Sequence, residues 1–218
     1  MNASWRRVER SAPWALIRLM DVSLRTLPTT TSPAFERLAE QLRGFRWRAE
    51  VQVDEIPGPQ RIASYALALE AEVNPQDAEG GSGRLILLHE PSGNDAWAGT
   101  YRFVTYARSD VDLDMVIDPL LAEVGWSWLT EALDDRKARY HSASGTVTTK
   151  SSRSFGGMKG EPDRAEVEIR ASWTAEINEP VDLSPHLAAW QELLCATAGI
   201  PPETDGVVSL FTHLHGNR

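Results

Sequence analysis

The 218-residue chain has a single cysteine, Cys195, so no disulfide can close within it, and this use of cysteine fits a reducing compartment. No apolar run approaches the roughly 20 residues that span a bilayer. Near the N-terminus, arginines precede Pro13-Trp14-Ala15-Leu16-Ile17, but Arg18 breaks this run before it reaches the ~7–15 residues of a signal core. The expected setting is therefore cytoplasmic, with no membrane. Paired metal-ligand spacings are also missing: His89, His141, His186 and Cys195 are scattered, and His213 and His215 lie two apart near the C-terminus. There is no G-x-x-x-x-G-K-[ST] phosphate loop and no G-x-S-x-G elbow. Neither a catalytic residue, a metal nor a cofactor is expected from these patterns.

Positive charge is scarce too. The formal net charge is −9, which favours solubility and repels bulk nucleic acid and anionic membranes. The charge is unevenly spread: at the start Arg6, Arg7, Arg10, Arg18 and Arg25 stand against only Glu9 and Asp21. Residues 1–31 thus read as a basic, flexible arm, which leaves the rest more acidic than the total suggests. What the chain has in ordinary amount is apolar surface, at 42 %. That is enough for one sizeable core. Eight tryptophans are generous for this length, and each indole N–H needs an acceptor when buried.

Hydrophobic periodicity orders the body. Ser32 as N-cap and Pro33 at the first helical position open a helix whose stripe is Phe35, Leu38 and Leu42, closed by Gly44. The period then falls to two. Phe45, Trp47, Ala49, Val51 and Val53 alternate with polar residues and predict a strand. Further strands are expected over Tyr65–Val73, Arg84–His89 and Trp97–Arg108. A polar, glycine-rich loop from Asn74 to Gly83 and a turn at Pro91–Asp95 separate them. After an acidic, irregular stretch from Asp110 to Asp118, the main helix runs to Lys137. Asp118 is its expected N-cap, and Leu121, Val124, Trp128, Leu129 and Ala132 its buried stripe. Gly125 inside this helix implies a close helix–sheet contact or a kink. Strands at 145–154 and 164–174 flank Phe155-Gly156-Gly157-Met158. A last helix opens at Ser184-Pro185, buries Leu187, Trp190, Leu194 and Cys195, and stops at Gly199. The order α-β-β-β-β-α-β-β-α predicts an α+β fold: about six mainly antiparallel strands with three helices on one face. Domain boundaries fall at 1–31 (arm), 32–201 (single domain) and 202–218 (tail).

Four features invite functional readings. The hydroxyl-rich hairpin Ser142–Gly157 brings Lys150, Arg153, Gly156 and Gly157 into one stretch that could form an anion nest, with an edge hairpin as the plainer reading. Trp126 and Trp128, two apart on one helix, cannot both face the core squarely, so one is expected at a rim, and Trp126 joins the candidate ligand-binding residues. Asp110, Asp112, Asp114 and Asp118 lack the glycine and distal glutamate of a calcium loop, and acids before a helix suit its dipole. Arg43, Arg46 and Arg48 interleave with Phe45 and Trp47 as in single-strand nucleic-acid binders, but alternation sends the rings inward and the chain is acidic, so nucleic acid is disfavoured.

Several long strings are distinctive: Asp118-Pro119-Leu120-Leu121-Ala122-Glu123-Val124-Gly125-Trp126-Ser127-Trp128-Leu129, Ser144-Gly145-Thr146-Val147-Thr148, Ser154-Phe155-Gly156-Gly157, Glu168-Ile169-Arg170-Ala171-Ser172-Trp173 and Leu193-Leu194-Cys195. With Pro59-Gln60-Arg61 and Leu87-Leu88-His89, they resemble an uncharacterised actinobacterial domain-of-unknown-function family (number three thousand) over roughly residues 33–202. The resemblance implies a bacterial cytosolic protein and supplies no activity and no site residue. The element order is also similar to that of small, acidic, dimeric bacterial secretion-chaperone-like folds, a likeness of architecture that does not fix function. The leading expectation is a protein-interaction or chaperone-like module without catalytic activity, with an unidentified protein partner or a second copy. A small-molecule or anion-binding protein or enzyme, with its pocket between sheet and helices, is the alternative. An RNA-associated factor is the third reading.

Overall fold

The computed structural model describes residues 33–74, 80–178 and 180–202. The expected arm, the N-cap role of Ser32 and the tail beyond residue 202 lie outside the described residues. In chain order the elements are α1 (Pro33–Gly44), β1 (Val51–Ile56), β2 (Tyr65–Val73), β3 (Gly81–Asn94), β4 (Gly99–Val111), α2 (Leu113–Val116), α3 (Leu121–Asp135), β5 (Tyr140–Ser152), a single 3-10 turn (Gly156–Met158), β6 (Arg164–Ala175) and α4 (Ser184–Thr197). All neighbouring strands are antiparallel, in the order β1-β2-β3-β4-β6-β5. The chain leaves β4, crosses by α3 to the sheet edge as β5, and returns as β6 beside β4. This is the α+β fold the periodicity predicts, with one short extra helix, α2.

The period-two pattern sorts the sheet into two faces. On β2, Leu67, Leu69, Ala71 and Val73 point inward, and Leu85 and Leu87 on β3, Phe103 and Ala107 on β4 and Ile169, Ala171 and Trp173 on β6 continue the same face. Phe35, Leu38 and Leu42 of α1, Leu129 and Leu133 of α3, and Leu187, Trp190, Leu193 and Leu194 of α4 close over it. Alternate residues, including Arg84, Arg102, Tyr106, Arg108, Glu166, Glu168, Arg170 and Lys150, form the other, helix-free face.

Several details differ from the sequence reading, β3 among them, which runs on to Asn94 through the expected turn. The strand expected from Phe45 starts only at Val51. The N–H of Arg48 is taken by Gln191 Oε1 on α4 at 2.7 Å, and Val51 N–H turns back to the Arg48 carbonyl at 3.0 Å, so 45–50 crosses from α1 as a turn while Phe45 and Trp47 still lean on the core. β3 begins at Gly81, inside the expected loop, because bare backbone is wanted there: a Cβ on Gly83 would overlap Leu194 of α4. β5 starts at Tyr140, earlier than expected, through a bulge between His141 and Ser144. On α3 the buried stripe is Leu121, Gly125, Leu129, Ala132 and Leu133, so Val124 is exposed and Trp128 half-buried. Gly125 marks a close helix–sheet contact, since its Cβ would lie 3.1 Å from Val147. Asp118 is not the cap of α3: Leu120 holds that position with no side-chain cap bond, and the Asp118 carboxylate instead accepts the N–H of Leu120 at 2.9 Å in a turn ahead of the helix.

Candidate docking surface and sheet face

The hairpin candidates do not converge. Lys150 Nζ binds Glu166 at 2.7 Å and Glu168 at 3.4 Å on the helix-free face. Arg153 Nε binds Asp163 at 2.9 Å across the hairpin end. Gly156 and Gly157 form the 3-10 turn with open space around both, and only Gly156 has positive φ, at 62°. Trp126 lies on the opposite side of the sheet, where its ring closes over Gly145: a Cβ there would stand 2.8 Å from the indole and would also run into the Arg170 carbonyl. Both cations are neutralised by carboxylates, and the ring is one sheet thickness away from them.

Glu168 is the centre of the hairpin's charge. It projects from the helix-free face yet is only 4 % exposed. The Tyr106 hydroxyl donates to it at 3.1 Å, Lys150 at 3.4 Å, and Arg170 pairs with it at 2.9 Å. Burial, with Glu168 beside it, raises the pKa of Tyr106 above the usual phenol value. Arg108–Glu166 at 2.6 Å and Arg84–Glu70 at 2.6 Å extend the lattice. Ion pairs cover this face.

One end of the sheet is different. Where β4 ends and β5 and β6 turn, the segment through α2 into α3 exposes Leu113, Met115, Ile117, Leu120 and Val124, with Ile117 at 79 % and Leu120 at 55 %. α2 lies against the ends of β5 and β6, so the hairpin tip with exposed Phe155 and Met158 belongs to the same end of the molecule. An open depression is lined by Asp112, Leu113, Asp114, Met115 and Asp118. None of Asp110, Asp112, Asp114 and Asp118 pairs with a cation among the described residues. These side chains have a structural reason to be outside. α2 is a single turn bridging β4 to α3, too short to offer one face to the core and another to water.

A family model described as a protein of unknown function (DUF3000) matches residues 31–208, most of the chain. The chain belongs to the DUF3000 family. The match bears out the resemblance read from the long strings. No curated protein and no solved structure matches the chain.

In this DUF3000 protein the remaining candidates resolve into structural roles. Arg43 pairs with Glu55 at 2.7 Å, and the mostly buried Arg48 reaches the Pro201 carbonyl and Glu50, so two of the three arginines proposed for RNA are engaged by the protein itself, while Arg46 is exposed. Trp47 packs edge-on against Trp190 at 5.5 Å and Phe45 against Trp47 at 4.5 Å. Cys195 is fully buried in α4. Among the described residues no group of three or more His, Cys, Asp or Glu could hold a metal ion, and no helix is long and apolar enough to cross a membrane. The sequence reading missed the apolar members of the acidic stretch. The signal was visible in Asp112-Leu113-Asp114-Met115-Val116-Ile117-Asp118, where large aliphatics share a run with aspartates and no nearby element had been assigned to cover them.

Proposed function

We propose that this DUF3000 protein is a protein-interaction module that receives a basic, amphipathic segment of another protein on the surface built by Leu113, Met115, Ile117, Leu120 and Val124. The observation that carries this reading is the gathering of exposed aliphatic side chains on one bridging segment, rimmed by Asp110, Asp112, Asp114 and Asp118, none of which pairs with a cation among the described residues. Exposed apolar patches rimmed by polar residues mark interaction sites. Unpaired acids around such a patch select lysine and arginine and reject anionic membranes and nucleic acid. A cytoplasmic setting accords with this reading, because the single cysteine is a buried thiol.

The test uses a dye-labelled, 18-residue helical peptide of leucine and lysine, titrated with the full chain and read by fluorescence anisotropy. Burying a large aliphatic side chain contributes about 1.5–3 kcal/mol. Ile117→Ser with Leu120→Ser is therefore expected to weaken binding at least about tenfold, while circular dichroism and melting stay unchanged because both residues are exposed. Asp112→Asn, Asp114→Asn and Asp118→Asn together should weaken binding and flatten its salt dependence. Equal affinity in the Ile117→Ser/Leu120→Ser protein would reduce the interaction to charge alone and sink the proposal. A light-scattering mass of two chains that returns to one in the same variant would make a second copy the occupant and overturn the basic partner.

A further inference from the structure

A second surface, on the helix-free face and at the other end of the sheet, has different chemistry. Elsewhere on that face Arg84, Arg108 and Arg170 each hold a carboxylate. Arg102 holds none. Its Nη1 donates to the Ser142 carbonyl and to Thr174 Oγ1, both at 2.9 Å, and its Nη2 donates to Ser172 Oγ at 2.6 Å and Ser144 Oγ at 3.3 Å. A half-buried guanidinium is thus ringed by four neutral oxygens from β5 and β6.

The ring is held by backbone in costly conformations. Ser142, whose carbonyl faces Arg102, sits in the β5 bulge at φ 52°. Ala98, at φ 54°, follows Trp97, whose carbonyl accepts the Thr174 hydroxyl at 2.6 Å and so turns a lone pair of Thr174 toward Arg102. Left-handed φ at a non-glycine residue costs on the order of 1 kcal/mol and persists where the surroundings enforce it, often at binding sites. Bulges likewise re-aim side chains beside such sites. His141 completes the group, with Nδ1 2.9 Å from Ser142 Oγ. In the tautomer where that hydroxyl donates, the ring N–H lies on Nε2.

The donor count decides what the group can hold. Both Nη atoms are spent on protein oxygens, so the planar fork is not free to clasp a carboxylate in two parallel bonds. Ser144 and Ser172 receive from Arg102, and their own protons find no acceptor among the described residues. Two hydroxyl donors therefore face outward over an uncompensated positive charge. Divergent O–H donors suit the spread oxygens of a tetrahedral anion. We infer that Arg102, Ser144 and Ser172, bordered by His141, form a binding site for a phosphoryl group, either inorganic phosphate or a small phosphate monoester. Burial alone, with no neighbouring charge, lowers the Arg102 pKa from the usual arginine value, which accords with a cation that lacks a counter-ion.

The experiment is a titration of the 15N-labelled full chain with inorganic phosphate and, separately, with phenyl phosphate at constant ionic strength. Amide and Arg102 Nε–H shifts are followed, with chloride as the anion control. The site predicts saturable shifts confined to residues 97–102, 141–144 and 172–174. Ser144→Ala with Ser172→Ala should weaken phosphate about tenfold with the fold intact by circular dichroism. Arg102→Lys, which keeps the charge but cannot reach four oxygens, should weaken it similarly. Tighter binding of phenyl phosphate than of phosphate identifies a monoester site, and equal binding a site for the free anion. Shifts spread over Arg84, Arg108 and Arg170, or undiminished in the double alanine protein, would overturn the inference.

Discussion

Trp173 donates its indole N–H to Nδ1 of His186 across 3.2 Å, inside a core where both side chains are closed to water. The acceptor role fixes the ring proton on Nε2 and requires neutral imidazole. Burial, partly opposed by Asp182, pushes the His186 pKa down to about 4. The unfolded chain binds this proton with a pKa of about 6.5. Above that pH both states are neutral and the full stability is present. As pH falls toward 4, only the unfolded state takes up the proton, so stability is lost. From pH 7.5 to pH 5 the loss assigned to His186 is about 2 kcal/mol. Urea midpoints at the two pH values measure it. In His186→Leu the protein is less stable at both, because Trp173 loses its acceptor, but the pH difference shrinks. An undiminished difference in that variant would place the titration elsewhere, with His89, whose pKa burial also lowers, the next group to replace.

Glycine positions predict a graded series. At Gly145 a Cβ would meet the Arg170 carbonyl, backbone that cannot step aside, as well as Trp126. At Gly83 the obstacle is chiefly Leu194, a side chain that can shift within a packed core. At Gly157 nothing stands within 4 Å. Overpacking costs about 1–3 kcal/mol when the site can relax. Gly145→Ala should therefore exceed that range or separate β5 from β6, Gly83→Ala should fall inside it, and Gly157→Ala should leave the midpoint unchanged. Chemical denaturation orders the three.

How much of this was legible in the sequence follows from which forces are local. The alternation of Leu67, Leu69, Ala71 and Val73, and the stripe Phe35, Leu38 and Leu42, report burial directly, so strands, helices and the antiparallel α+β arrangement could be read from spacing. Gly83 and Gly145 could not be placed, because what excludes a Cβ there comes from other elements: Leu194 of α4 for Gly83, and the β6 backbone at Arg170 with Trp126 of α3 for Gly145. The hairpin cations failed to form a nest for a similar reason. Lys150 and Arg153 find Glu166, Glu168 and Asp163 only once β5 and β6 are in register. Arg102 was hidden in an ordinary-looking strand. Its meaning lies in Ser142, Ser144, Ser172 and Thr174, at least 40 residues away in sequence.

Glu168 should respond very differently from the exposed acid Glu55. At 4 % exposure, Glu168 gathers Tyr106, Lys150 and Arg170. Lys150 and Arg170 are about half exposed and can turn to water when the carboxylate goes, so what is lost is its charged hydrogen bonds and the acceptor of the Tyr106 hydroxyl, about 1.5–3 kcal/mol. Glu168→Gln keeps the shape and an acceptor oxygen, so a smaller loss of about 1–2 kcal/mol is expected, growing in Glu168→Ala. The Arg43–Glu55 pair is open to solvent on both sides, and Glu55→Gln should leave the denaturation midpoint where it is. Equal effects at the two positions would show that the lattice on the helix-free face is no more than solvated surface charge.

Trp190 Nε1 donates to Thr105 Oγ1 at 2.9 Å, and that hydroxyl donates onward to the Arg84 carbonyl at 3.1 Å, tying α4 to the middle of the sheet. Thr105→Val keeps the volume, removes the acceptor and leaves the indole N–H buried without a partner, which costs about 1–3 kcal/mol. Trp190→Phe removes the donor and leaves a gap beside Trp47, whose edge contact with Trp190 is at 5.5 Å, a loss of similar or larger size. If the hydrogen bond is the link, the double change Thr105→Val with Trp190→Phe costs less than the two single losses added, by about 1 kcal/mol. Thr105→Ser, which retains the hydroxyl, should recover most of what valine loses. Strict additivity in a urea double-mutant cycle would mean that α4 is held by packing alone, and that Thr105 serves only the Arg84 carbonyl on the neighbouring strand.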